Sequence, residues 1–228
     1  MTFSKWHALG NVYLVGPPLP DPTPERVREL VGGADGLVEV TPGGEVVIWN
    51  ADGSQAELSG NATRIAAAWL ARQTGADEVT IVAGSRRVHV RFRPDGLAEQ
   101  QMGEVRVGGP EEVEGVRFTP VDVGNPHAVV QGDPADVTRI GPLLETHPRF
   151  PHRTNVQVAR VDAEGRVTAR VWERGVGETS SSGTGAVAVA AACVGEGETV
   201  VRFPGGELTV RIAEGLATLI GPAEPLER

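Results

Sequence analysis

Two serines stand at matching places in the chain. Ser59 precedes Gly60-Asn61 and an Ala-rich run, and Ser182 precedes Gly183-Thr184-Gly185 and an unbroken run of small apolar residues. Each follows a β-branched stretch ending in tryptophan, Trp49 or Trp172, and then a polar, glycine-containing turn. The pattern reads as strand, loop, helix N-terminus. Such a terminus presents unpaired backbone N–H groups and the positive end of a helix dipole, so it suits an anion. A carboxylate held by both termini has a serine on either side. A planar carbanion can gain a proton from either face, and one acid/base group per face is what racemisation or epimerisation needs. The competing reading of both serines is a helix N-cap, a common role for serine.

The elements around these serines repeat as well. At an offset of 123 positions Trp172 falls on Trp49, Glu173 on Asn50, Ser182 on Ser59 and Gly183 on Gly60. Gly10-Asn11 matches Gly124-Asn125, and Val79–Phe92 resembles Val200–Ile212. Short repeats of 20–50 residues would mean a solenoid. One repeat of half the chain means two similar domains, expected at 1–112 with the tail 222–228, and at 113–221.

The coarse pattern supports this. Phe3–Leu14 reads as a strand kinked at Gly10-Asn11, and Pro24–Val31 as a short helix with proline in its first turn. Strands are expected at 37–40, 45–49, 78–83, 87–93 and 97–102, with a linker over 108–114. In the second half strands are expected at 116–122, 124–130, 154–161, 167–172, 199–203, 207–212 and 216–220. A short helix falls within 134–144. The stretches 60–73 and 184–193 are apolar on nearly every face, which implies helices buried all round. The expected architecture is α+β: two pseudo-symmetric domains, each a curled, mostly antiparallel sheet around a buried helix, with the site in the cleft between them.

Composition narrows the chemistry. A net charge of −9 argues against nucleic acid or an anionic membrane as partner. No apolar run reaches membrane-spanning length and no signal segment follows Met1, so a cytoplasmic protein is expected. Cys193 is the only cysteine, so no internal disulfide can form, and it reads as a small core residue. The five histidines show no metal-ligand spacing, so no metal is expected. Lys5 is the only lysine, which argues against pyridoxal phosphate, and no lysine follows Gly60 or Gly183 to make a phosphate-binding loop. No cofactor is expected. A serine hydrolase reading of Ser59 with His127 lacks the G-x-S-x-G turn.

Longer motifs point to a family. FSKWHALGN is similar to F-x-K-M-H-G-L-G-N, and NADGSQAELSGNATR to N-A-D-G-S-x-x-x-x-C-G-N-x-x-R. VGNPHAVV, RFPHRTN and ERGVGETSSSGTGA are similar to G-N-P-H, R-F-P-x-x-x-N and E-R-G-x-G-E-T-x-x-C-G-T/S-G-A. The chain thus resembles the diaminopimelate epimerase family, in the fold group that also holds proline racemase and the phenazine-biosynthesis PhzF-type isomerases. The resemblance implies cofactor-independent interconversion of LL- and meso-diaminopimelate by two-base proton transfer. It implies that Asn11, Asn50, Asn125 and Asn155, with Glu173 and Arg174, hold the distal amino-acid group of the substrate. The N–H groups of Gly60-Asn61 and Gly183-Thr184 would hold the α-carboxylate. His127 would pair with position 59 and Glu173 with position 182. For the asparagines the competing reading is a turn residue serving nearby backbone, and for His127 a structural histidine. The resemblance also implies a terminal segment that returns to the first domain, and a homodimer.

One departure matters. The family's two catalytic groups are cysteines, and here both are serine, Ser59 and Ser182. A thiol supplies some thiolate near neutral pH, whereas an alkyl hydroxyl is weaker by several pKa units, at about 1.4 kcal/mol each. Three explanations remain open: an engineered Cys-to-Ser exchange, an altered reaction on a related amino acid, or binding without turnover. Ser181, where the family usually has alanine, speaks against the first.

Overall fold

A computed structural model describes residues 3–56 and 59–226. Residues 57–58 of the turn before Ser59, residues 1–2, and the end of the expected tail at 227–228 lie outside the described residues. The chain divides into two compact units, Met1–Gln101 with Ile220–Arg228, and Met102–Leu219. Residues 102–112 therefore belong with the second unit rather than the first.

The first unit opens with β1 (Ser4–Ala8) and β2 (Asn11–Gly16), an antiparallel hairpin. This corrects the expected single kinked strand. Leu9 and Gly10 both take positive φ, 52° and 86°, and two such residues turn a chain back on itself. The unit continues through α1 (Pro24–Val31), β3 (Gly36–Val40), β4 (Glu45–Asn50), β5 (Gln55–Ala56), α2 (Gly60–Thr74), β6 (Glu78–Ala83), β7 (Arg86–Phe92) and the start of β8 (Ala98–Glu104), whose last three residues fall in the second unit. Helix α1 starts where Thr23 Oγ1 accepts from the Arg26 N–H and stops at the left-handed Gly32.

The second unit contains β9 (Arg106–Val107), β10 (Glu111–Val113), β11 (Val116–Asp122), β12 (Pro126–Gln131), α3 (Val137–Glu145), β13 (Asn155–Val161), β14 (Val167–Glu173), β15 (Gly177–Thr179), α4 (Gly183–Cys193), β16 (Gly197–Phe203), β17 (Gly206–Ala213) and β18 (Leu216–Gly221). The expected linker at 108–114 holds a three-residue strand, because β10 pairs antiparallel with β11. A last short strand, β19 (Glu224–Pro225), pairs with β1, and the Leu226 N–H donates to the Lys5 carbonyl. The chain end thus returns to the first unit.

The architecture is α+β, as expected, but the sheet is mixed. Antiparallel ladders predominate. Among the described residues four pairs are parallel, and each encloses one α-helix: β2–β3 around α1, β4–β6 around α2, β12–β13 around α3, and β14–β16 around α4. A parallel pair needs a crossover, and these helices supply it. Helices on both faces leave the central strands buried on both sides. Strand β3 and the first five residues of β13 are continuously buried, so their sequences do not alternate. In the first unit Val15, Val38 and Ile48 pack with α2, whereas Leu14, Leu37 and Trp49 pack with Val27 and Val31 of α1. Helix α2 is buried from Gly60 to Ala68, and α4 from Gly183 to Ala190.

Two glycines set close approaches. A Cβ on Gly36 would sit 2.2 Å from the Trp49 carbonyl oxygen. A Cβ on Gly141 would sit 2.5 Å from the Cβ and Cγ of Trp172. Gly141 therefore lets α3 lie directly on the tryptophan that precedes Glu173. Gly141→Ala is expected to destabilise the protein by roughly 1–3 kcal/mol, the usual range for overpacking. Thermal unfolding checks this; an unchanged midpoint would show that α3 is not held against Trp172.

Candidate active site

Helices α2 and α4 begin the same way. Ser59 has φ −134° and ψ 121°, and its Oγ accepts from the Ala62 N–H at 3.2 Å. Ser182 has φ −143° and ψ 125°, and its Oγ accepts from the Gly185 N–H at 3.2 Å. Both are N-caps with extended backbone. The cap role and an acid/base role are compatible. An oxygen that accepts N–H at the positive end of a helix is in a place that favours its anionic form, and it keeps its own proton to give.

Behind each cap runs a chain of buried polar groups. In the first unit Asn61, in the first turn of α2, donates from Nδ2 to Asn11 Oδ1 at 2.5 Å. Its Oδ1 accepts from Arg64 Nη2 at 3.0 Å. Arg64 is fully buried, and its Nε donates to the Pro222 carbonyl at 2.9 Å. Burial lowers its pKa to about 10, so it remains charged at neutral pH. Below these, Gln100 donates to Thr63 Oγ1, which donates in turn to the carbonyl of Ser59.

In the second unit Asn125 donates from Nδ2 to Thr184 Oγ1 at 3.4 Å, and its Oδ1 faces His127 Nε2 at 2.9 Å. His127 Nδ1 meets Gln157 at 3.2 Å. Burial is the main cause pushing the His127 pKa down to about 4, so the ring is neutral at neutral pH. A neutral ring donates through one nitrogen only. Donation from Nε2–H to Asn125 leaves Nδ1 as an acceptor. That acceptor is satisfied when the Gln157 amide presents its Nε2, an atom otherwise buried without a partner. Both ring nitrogens are thus taken within the second unit.

The remaining residues cluster on the turn after β14. Asn155 accepts on Oδ1 from the Arg174 N–H and donates from Nδ2 to the Pro126 carbonyl, each at 3.0 Å. Its amide joins backbone of two segments 19 and 29 residues away, not the local turn backbone of the competing sequence reading. Glu173 Oε1 accepts from Thr179 Oγ1 at 2.6 Å, and Arg174 Nη1 donates to the His152 carbonyl. Asn50 lies in the matching turn of the first unit and donates to Ser54 Oγ. Among the described residues the structure joins Asn11 with Asn61, Asn125 with His127 and Thr184, and Asn155 with the Arg174 backbone.

Three further residues hold the site in place. Glu145 accepts from the Trp172 indole N–H and from the Gly175 N–H, each at 2.7 Å, and so clamps the turn on both sides of Glu173-Arg174. Gln157 holds His127. Arg64 lies in the NADGSQAELSGNATR stretch and holds Asn61. A glutamate after an apolar helical run and a glutamine inside a valine strand carry no local signal; only the register shows what they meet. Cys193 is half-buried at the end of α4 and not deep in the core, and burial pushes its thiol up to about 11.

The His127 shift carries a pH signature. Its folded pKa, about 4, lies below the unfolded value of 6.5. The neutral ring therefore contributes stability that is present above pH 6.5 and lost as pH falls toward 4. The amount is on the order of 3 kcal/mol. The loss should flatten in His127→Gln, measured by denaturant unfolding between pH 4 and pH 7. An equal slope in both proteins would show that His127 is not buried neutral.

Known proteins place this arrangement. The family model described as diaminopimelate epimerase matches residues 119–224. The diaminopimelate epimerase of Desulforudis audaxviator is 39% identical over 98% of this chain and 96% of its own length. That of Thermobifida fusca is 38% identical over 98% of this chain and 95% of its own. In fold, a phenazine biosynthesis protein of the PhzF family from Bacillus anthracis superposes with TM-score 0.72 at 13% identity, covering 99% of this chain and 96% of its own. A hydroxyproline epimerase from Agrobacterium vitis, with trans-4-hydroxy-L-proline bound, gives 0.67 at 15%, covering 98% and 88%. With identity of this order across nearly its whole length, and with its site motifs on the two helix starts, the chain belongs to the diaminopimelate epimerase family and so to the isomerases.

Proposed function

We propose that the protein epimerises LL-diaminopimelate to meso-diaminopimelate without a cofactor, by two-base proton transfer at positions 59 and 182. The observation that carries the reading is the pair of buried helix starts, each capped by a serine at the family's acid/base position. The N–H groups of Gly60-Asn61 and Gly183-Thr184 receive the α-carboxylate. As the α-proton leaves, negative charge flows into that carboxylate, and preorganised N–H dipoles stabilise such developing charge. One serine takes the proton and the other supplies one to the opposite face. Asn11, Asn50, Asn125, Asn155, Glu173 and Arg174 set the distal end. In this reading Asn155 and Asn125 act in good part by holding their neighbours in place, and His127 by supporting Asn125.

A second reading has one observation in its favour. A serine hydroxyl is a much weaker acid than the family's thiol, and both hydroxyls already serve as caps. A protein that binds the amino acid without turning it over fits that chemistry. The test is α-proton exchange of LL-diaminopimelate in D₂O, followed by NMR. Loss of the α-proton signal above a protein-free control supports epimerisation. Binding by calorimetry without exchange supports the silent reading, and no binding at millimolar ligand removes both. Under the epimerase reading, Ser59→Cys combined with Ser182→Cys should accelerate exchange by about three orders of magnitude or more, given the pKa gap between hydroxyl and thiol. A dimer is also proposed, on the family resemblance alone. Sedimentation velocity showing only monomer at working concentration would remove it.

A further inference from the structure

Arg64 is the least expected group in the first unit. Its side chain is completely buried, yet no carboxylate among the described residues pairs with it. Nε and Nη2 are bonded to the Pro222 carbonyl and to Asn61 Oδ1, while Nη1 is buried with no hydrogen-bond partner. A buried guanidinium without a counter-charge is costly. A bound anion would offset that cost.

Geometry says where to look. Side chains on a helix tilt toward its N-terminus. The Nη2–Asn61 bond shows that Arg64 follows this rule and lies over the first turn of α2. We propose that Arg64 is a positioning residue whose counter-charge is a carboxylate bound at the start of α2. It acts through Asn61, holding the side-chain oxygen so that the first turn keeps its shape, and it adds a full positive charge to the partial charge of the helix start. The corresponding position of α4, at the same offset as the two serines, is Val187. The two helix starts therefore differ in charge although they match in form. The identity of the carboxylate rests on the epimerase reading; the claim of an anion does not.

Two probes separate these. The first is inorganic sulfate, titrated against chloride at constant ionic strength, with the thermal midpoint as readout. Sulfate should raise the midpoint of the unaltered protein. The apparent affinity should be about tenfold weaker in Arg64→Met and largely restored in Arg64→Lys, as expected for loss of a charge-assisted contact. The second probe is LL-diaminopimelate, with the same order expected in KM and little change in kcat. A residue that merely ties the tail to the unit would lower the midpoint of Arg64→Met without sulfate and leave the sulfate response intact; that result overturns the proposal. Equal sulfate response in all three proteins also overturns it. A graded sulfate response with no diaminopimelate binding would uphold Arg64 as the anion's counter-charge and sink the substrate reading instead.

Discussion

Both central helices begin inside the protein, and most else follows from that. A helix start carries N–H groups with no partner in the helix, and in the interior water cannot serve them. Ser59 and Ser182 each take one such N–H. The polar residues of the interior are arranged behind those caps: Asn11, Asn61 and Arg64 in the first unit; Asn125, Thr184, His127 and Gln157 in the second. Each chain links strand to helix, so the first turn is fixed from the side as well as along its axis. The crossover topology makes this possible, since it brings each helix from the end of one parallel strand to the start of the next.

The turns that follow β4 and β14 are held by the same logic. A tryptophan at the end of each strand gives its indole N–H to a buried carboxylate, Trp49 to Glu39 and Trp172 to Glu145. Burial raises the pKa of Glu39 against the lowering effect of its hydrogen bonds. In the second unit the carboxylate also takes the Gly175 N–H, and Asn155 takes that of Arg174. Two consecutive backbone donors and an indole are thus accounted for around Glu173 and Arg174. The turn is thus ordered by groups outside it, the kind of support that a binding turn needs.

Much of this was legible beforehand, because the signals were local. Proline after Thr23, glycine after Thr74 and the Ser-Gly pairs mark helix ends by their own chemistry. Helices buried all round show in Ala- and Val-rich runs without polar faces. The hairpin at Leu9-Gly10 was read as a kink because only one of its two residues is glycine; Leu9 takes positive φ without any mark in the sequence. Strand β10 was read as linker because Glu111, Glu112 and Glu114 are charged, and pairing at an edge does not need apolar side chains. Glu145, Gln157 and Arg64 were missed for one reason: their meaning lies in partners between 3 and 158 residues away.

A hydroxyl and a thiol differ in how they serve a helix start. As an N-cap, serine is among the preferred residues, so if Ser59 and Ser182 hold the acid/base positions that the family resemblance implies, the fold gains from the residue that is the weaker acid. A thiolate at the same place accepts the N–H bonds more weakly but carries the charge that the helix end favours. Stability of the helix start and reactivity of its first side chain therefore pull toward different residues at one position. In the first unit the conflict is eased by a fixed cation: with Arg64 charged and held to Asn61, the start of α2 is positive whatever residue caps it. At the matching position of α4 stands Val187, and His127, behind that helix start, is neutral. Similar in backbone, the two helix starts differ at this position, a buried cation in one and an apolar side chain in the other. Under the two-base reading proposed above, an anion forming beside Ser59 would have this fixed cation behind it, whereas the matching residue behind Ser182 is apolar.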